Sequence, residues 1–350
     1  MNQSLTRICH DFSADLTEAV GNHPASDIFV LTDEQTRRHC YPMIADEPCL
    51  KGSHLITVPA GDENKTIESA VQVWKYLSEH AATRRSLMIN LGGGMITDLG
   101  GFVASTFKRG IRYINLSTTL LGAVDAATGG KTGINFLGYK NEIGVFNPAS
   151  DVLIHIEFFK SLDDHNLRSG FAEMVKHALI DSREEWEAIL KFDLETIDFD
   201  QLRQLVERSV RVKERIVEQD PREQNIRKAL NLGHTFGHAF ETLSHRSGRP
   251  VLHGYAVMWG LFCELYLSFK YLKFPKEELL RLKYMIKEYY GIFSISCDDY
   301  EALYELMQHD KKNETSDINF TLLSDIGEIH INQHAGKEDI FETLDFFQMG

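Results

Sequence analysis

The sequence has no uninterrupted apolar run near the roughly 18 residues that a membrane-spanning helix needs, so no span is expected. Cysteine is sparse. Cys9, Cys40, Cys49, Cys263 and Cys297 are scattered, odd in number and form no CxxC pair, which points to free thiols in a reducing cytoplasm. The opening MNQSLTRICHDFSADL lacks an apolar h-region, so no secretory signal is expected. Positive charge is short as well: 37 Lys and Arg stand against 51 Asp and Glu, a net charge of −14. That excess argues against nucleic acid or an anionic membrane as the main partner. An anionic substrate would need a local basic pocket set against the global field. No internal repeat and no low-complexity segment interrupts the chain.

What is present is an ordinary globular composition, 43% hydrophobic and 25% charged, with 350 residues to spend. That length suggests two domains. Short buried strands are expected at 27–33, 54–59, 86–94, 112–118 and 151–156, with helices at 64–81 and 96–110 between them. This βα alternation predicts an α/β N-terminal domain with a Rossmann-like parallel sheet. Beyond about residue 160 the apolar period becomes 3.6, as in QLRQLVERSVRVKERIVEQ and YAVMWGLFCELYLSFKYL. A mainly α-helical C-terminal domain follows, with one late hairpin at 318–332. The expected domains are 1–158 and 159–350.

INLGGGMITDLGGF runs from strand to helix through Gly92, Gly93 and Gly94. Such a turn lets a diphosphate approach the backbone at a helix N-terminus, although a plain tight turn looks the same in sequence. Asp98 could cap the helix or hold a ribose. Asp33, at the end of the first strand, and Lys65, behind a second short turn, strengthen the reading of a dinucleotide across the strand ends. Arg109, Lys131, Lys140 and Asn141 sit among small residues, with Asp125 between them. With Lys176, Lys213, Arg227 and Lys311 further on, they make a candidate anion pocket.

The run NLGHTFGHAFETLSHRSGRPVLHGYAV holds His234, His238, His245 and His253. His234 and His238 are four apart, as are Glu173 and His177 in FAEMVKHAL, so each pair shares a helix face. An open metal site needs three protein ligands. Spacing permits several triples and does not choose among them.

LGGGMITDLGGFVASTFKRG, STTLLGAVDAATGGKTGIN, KNEIGVFNPASDVL, SGFAEMVK, NLGHTFGHAFE, LHGYAV and DKK together resemble the 3-dehydroquinate synthase family, within the sugar-phosphate cyclases. They follow the family's order and spacing from about residue 28 to 325. The resemblance implies a metal, zinc or cobalt, on Glu173, His234 and His253, with His238 facing the substrate phosphate. It gives His177 and His245 no role. It implies NAD contacts from Asp33, from Ala60, Gly61, Asp62, Glu63, Asn64 and Lys65, and from Gly94, Met95, Ile96, Thr97 and Asp98. Thr118, Thr119, Lys131, Lys140, Phe158, Phe159, Lys160 and Ser161 complete the NAD set. Arg109, Asp125, Lys131, Asn141, Lys176, Lys213, Glu223, Arg227, Asn231 and Lys311 would line the substrate pocket. The implied reaction turns 3-deoxy-D-arabino-heptulosonate 7-phosphate into 3-dehydroquinate and phosphate, in a cytoplasmic homodimer.

The chain departs from the family pattern at Tyr255 (usually Glu), Ser117 (usually Pro), Ala60 (usually Asp) and Gly138-Tyr139. A sister cyclase, a metal- and NAD-dependent polyol dehydrogenase and a non-catalytic NAD-binding protein are the alternatives. The retained Glu-His-His triple and the basic residues argue against the last.

Overall fold

The computed structural model describes residues 5–137, 139–308 and 318–349. The chain forms two compact units, Met1–Asp163 and Asp164–Gly350. The units divide between residues 163 and 164, and the expected boundary lies after 158. A short 3-10 turn, Ile156–Ser161, carries buried Ile156, Phe158 and Phe159, and Phe158 packs edge-on against Phe12 of the first unit.

The strands of the first unit are β1 (Leu5–Ile8), β2 (Ile28–Asp33), β3 (His54–Val58), β4 (Leu87–Gly92), β5 (Arg112–Ser117), β6 (Lys131–Phe136), β7 (Tyr139–Phe146) and β8 (Asp151–Ile154). Apart from β6 and β7 they form one six-stranded sheet in the order β1-β8-β5-β4-β2-β3, with every neighbouring pair parallel. β2, β4 and β5 are buried almost throughout, as parallel strands with both faces covered must be. The sequence pattern predicts β2, β3, β4, β5 and β8, but neither β1 nor the β6–β7 hairpin. β1 is short and half-exposed, and β7 is exposed along nearly its whole length, so neither carries an apolar signature.

The Ile67–Glu79 helix is amphipathic, capped by Thr66 and buried through Ser69, Ala70, Val73 and Leu77. The Gly94–Thr106 helix is instead buried nearly all round. Its glycines permit that depth: a Cβ on Gly100 would stand 2.0 Å from Asn90 Oδ1, and one on Gly101 2.3 Å from Thr132.

The second unit is helical, with the antiparallel hairpin β9 (Asn319–Asp325) and β10 (Glu328–His334). Among the described residues no helix is long and apolar enough to cross a membrane. At its centre the His253–Leu272 helix is buried on most of its surface. It touches the His234–Arg246 helix backbone to backbone. A Cβ on Gly260 would fall 1.9 Å from Gly233 O and 2.7 Å from Gly237 N. The His234–Arg246 helix has no side-chain cap of its own. Glu264, wholly buried on the neighbouring helix, supplies one, accepting from Gly233 N at 2.7 Å and Thr235 N at 3.0 Å.

Gly260→Ala must push these helices apart. It is expected to destabilise the protein by about 1–3 kcal/mol or more, read as a lower denaturant midpoint. An unchanged midpoint would mean the two backbones have room to separate.

Candidate active site

Chemistry-bearing residues gather at one place in each unit. In the first they lie at the carboxyl ends of β2, β3, β4 and β5, where open α/β sheets bind ligands. β4 ends at Gly92, and the next helix starts at Gly94 with no side-chain cap. A Cβ on Gly93 would stand 2.8 Å from Thr119 and one on Gly94 3.1 Å from Ala126. The glycines therefore serve close packing of the turn and also leave the amides of Gly94, Met95 and Ile96 uncovered by a capping side chain. Thr97 Oγ1 donates back to Gly94 O. Thr118 follows β5 with its Oγ1 buried, near Cys40, and Thr119 Oγ1 accepts from Gly122 N.

Lys65 is only 4% exposed and already saturated. Its Nζ reaches Asn141 Oδ1 at 2.7 Å, Asp98 Oδ2 at 3.0 Å and Asp62 Oδ1 at 3.3 Å. Asn135 donates to Asp62 O, and Asn141 N donates to Asn135 Oδ1. The 60–65 turn, the Gly94–Thr106 helix and the β6–β7 hairpin are thus tied through one ammonium. Lys140 lies 3.6 Å from Asp62 and Lys131 opens β6. Asn64 donates to Ala60 O, and Glu63 folds over Gly61.

Asp33 caps the Glu34–His39 helix in a capping box, accepting from Thr36 N at 2.8 Å. Its position at the end of β2 is as expected, but one oxygen already has this task. Phe158 and Phe159 are fully buried, so only their backbone could meet a ligand. Lys160 pairs with Glu157, and Ser161 donates to Phe158 O. Asp125 sits in the Gly122–Ala126 turn.

Arg109 lies in the Phe107–Arg109 turn that follows the Gly94–Thr106 helix.

In the second unit, one ligand atom each from Glu173, His234 and His253 lies within 4.8 Å of the others. Gly233, in the left-handed region at φ 80°, turns the chain from the Ile226–Asn231 turn into the helix that His234 opens. His253 opens the next long helix, and Glu173 lies within Asp164–Asp181. Both imidazoles present Nε2 to Glu173 Oε1, each at 3.4 Å. Their Nδ1 atoms are held elsewhere, at Leu232 O (3.1 Å) and Glu241 Oε2 (3.0 Å).

Glu173 is wholly buried and ion-paired with Lys176, yet neither of its oxygens has a hydrogen bond of sound geometry. Burial alone would raise its pKa, but the Lys176 ammonium and the His234 ring hold it well below the usual carboxylate range. For His253, burial favours the neutral ring, and Glu241 and Glu173 outweigh it, pushing the pKa up to about 10. A buried carboxylate short of donors, between two imidazoles directed at it by Nε2, is a donor set that suits a divalent metal such as zinc.

His238 stands beside this group, its ring 5.3 Å from that of His234 and 6.0 Å from that of His253. His177 bonds Ser209 through Nδ1 at 2.7 Å. Lys176, Lys213 and Arg227 are buried cations of the same unit. Asp220 shapes the loop before Arg227 by accepting from the backbone amides of Gln224, Asn225 and Arg227. Glu223, at φ 59°, accepts from Asn231. Lys311 lies outside the described residues. Tyr255 bonds His165 at 2.8 Å and packs edge-on against Tyr290. Sequence reasoning missed Asp220, Glu264 and Glu241. Only Glu241 left a local signal, seven residues beyond His234 on the same helix face.

Models of the 3-dehydroquinate synthase N-terminal and C-terminal regions match residues 55–169 and 170–313. A 3-dehydroquinate synthase of Parabacteroides distasonis is 51% identical over 348 residues, covering 99% of each chain. The chain belongs to the 3-dehydroquinate synthase family. It is an enzyme with that activity. A second 3-dehydroquinate synthase, from Oceanobacillus iheyensis, is 38% identical over 85% of this chain and 83% of its own length. Among solved structures, 2-epi-5-epi-valiolone synthase from Streptomyces hygroscopicus subsp. jinggangensis, with NAD+ and Zn2+ bound, has a TM-score of 0.84 at 22% identity, covering 99% of this chain and 97% of its own. A 2-deoxy-scyllo-inosose synthase complexed with carbaglucose-6-phosphate, NAD+ and Co2+ has a TM-score of 0.83 at 19% identity, covering 99% and 96%. An iron-containing alcohol dehydrogenase shares the fold at a TM-score of 0.67 and 12% identity, covering 100% and 98%. The polyol dehydrogenase alternative is therefore a likeness of fold.

Asp98 sets a pH dependence. Burial raises its pKa to about 6 and the carboxylates of Asp62 and Asp125 add to this, against the pull of Lys65. The folded state then holds this proton more tightly than the unfolded chain. Its contribution to stability is present below about pH 4 and is lost as pH rises through about 6. In ligand-free protein, wild type should lose stability relative to Asp98→Asn across that interval. Parallel denaturation curves at each pH would contradict the assignment.

Proposed function

We propose that NAD binds at the strand ends of the first unit, and that Glu173, His234 and His253 hold a divalent metal, zinc or cobalt. The observation that carries the metal reading is Glu173: fully buried, paired with Lys176, and met by Nε2 of both histidines. The NAD reading is supported by the uncapped Gly94 helix start. It is also supported by the NAD+ and metal in the two cyclase structures. When bound, NAD would supply a hydride acceptor for a secondary alcohol and the metal a Lewis acid that lowers the cost of removing its proton.

The chain's own residues then have these tasks. Lys176, buried against Glu173, keeps that carboxylate ionised and ready to ligate. Lys213 and Arg227, both buried, offer fixed positive charge for the substrate's carboxylate and phosphate, which stabilises the departing phosphate. Asp220 holds Arg227 by its backbone, and Glu223 holds Asn231, so the loop is set before substrate arrives. His238 hydrogen-bonds the reacting phosphate. Lys131, Asn141, Asp125, Arg109 and Lys311 complete the substrate set. The substrate phosphate serves as its own base. Ring opening and aldol closure then need confinement and orientation above all. We also propose a cytoplasmic homodimer, the cytoplasm supported by five free cysteines.

The redox steps cancel, so in multiple turnover phosphate release should exceed net NADH many times over. Stoichiometric NADH would favour a dehydrogenase instead.

The histidines should separate by phenotype. His234→Ala and His253→Ala are expected to lose metal and activity together. His238→Ala should keep its metal and lose about 100-fold in turnover. Elemental analysis beside turnover decides. An empty site in His238→Ala with a full one in His253→Ala would reassign the ligands.

A further inference from the structure

Glu241 lies on the face of the His234–Arg246 helix that also carries His234 and His238. It is 6% exposed. Its Oε2 stands 3.0 Å from His253 Nδ1, while His253 Nε2 is turned to Glu173 at 3.4 Å. A metal-binding imidazole uses one ring nitrogen, and the partner of the other fixes its tautomer and plane. An ionised carboxylate only accepts. With a metal bound, Glu241 would therefore keep the proton on Nδ1 and leave the Nε2 lone pair for coordination.

We propose that Glu241 is the positioning residue of the metal site, holding His253 in its Nε2-ligating tautomer and orientation. This rests on the reading of Glu173, His234 and His253 as ligands.

The other imidazole shows why a side chain is needed here. His234 turns Nδ1 to the main chain, at Leu232 O, two residues before it. His253 has its Nδ1 partner on a different helix. Its side chain is also the more exposed, 25% against 10%, so it has more freedom to lose. A purely structural tie between the two helices would look alike in the metal-free protein, but it would not tune metal affinity.

The test uses full-length protein stripped with a chelator, then titrated with Zn2+ against a chromogenic competitor. Thermal unfolding of the stripped protein is measured in parallel. Glu241→Ala is expected to weaken zinc binding by about 10- to 100-fold. Glu241→Gln keeps an acceptor oxygen and should recover part of that loss. Wild-type zinc affinity in Glu241→Ala, with or without a lower melting temperature, overturns the proposal, provided His253→Ala has lost zinc. Wild-type affinity in His253→Ala overturns the ligand set itself, a distinguishable failure. If Glu241→Ala does not fold, the near-isosteric Glu241→Gln decides: a several-fold loss supports the role and unchanged affinity refutes it.

Discussion

A carboxylate with no exposed surface must be compensated by nearby cations or donors, because burying it alone costs several kcal/mol. Glu173 meets that requirement with charge rather than hydrogen bonds. Lys176 lies one turn along its own helix, and two imidazoles face it from two other helices. Lys176 and the two imidazoles thereby tie the packing of three helices to one buried charge.

The same economy of buried acids recurs around it. Glu264 caps the helix that begins at His234, and Glu241 takes the far side of His253. Each acid has a specific donor, so each fixes an orientation. The glycines at 233, 237 and 260 let the two helices close to backbone contact, which brings the carboxylates within reach. Close packing and charge compensation are one construction here.

In the first unit a cation is buried instead. Lys65 is shared by Asp62, Asp98 and Asn141, which makes it a tie between turn, helix and hairpin. Asp33 is similarly engaged as a helix cap. Residues that looked like ligand contacts thus also carry local structure, and the turn they form is held before any ligand is present.

The sequence by itself determined the class of the fold. Buried parallel strands write continuous apolar runs, and helices write a 3.6-residue period, both local signals. β1 and the exposed β7 escaped because they bury too little to leave one. The order of the motifs identified the family, but spacing alone left the histidines undecided. His234 with His238, and Glu173 with His177, were equally good pairs on paper. Tertiary structure brings Glu173, His234 and His253 together from three helices, and gives His177 Nδ1 a partner in Ser209. It also gives Glu241 its partner. Helical spacing fixes a face, whereas the meeting of faces depends on contacts between residues far apart in the chain.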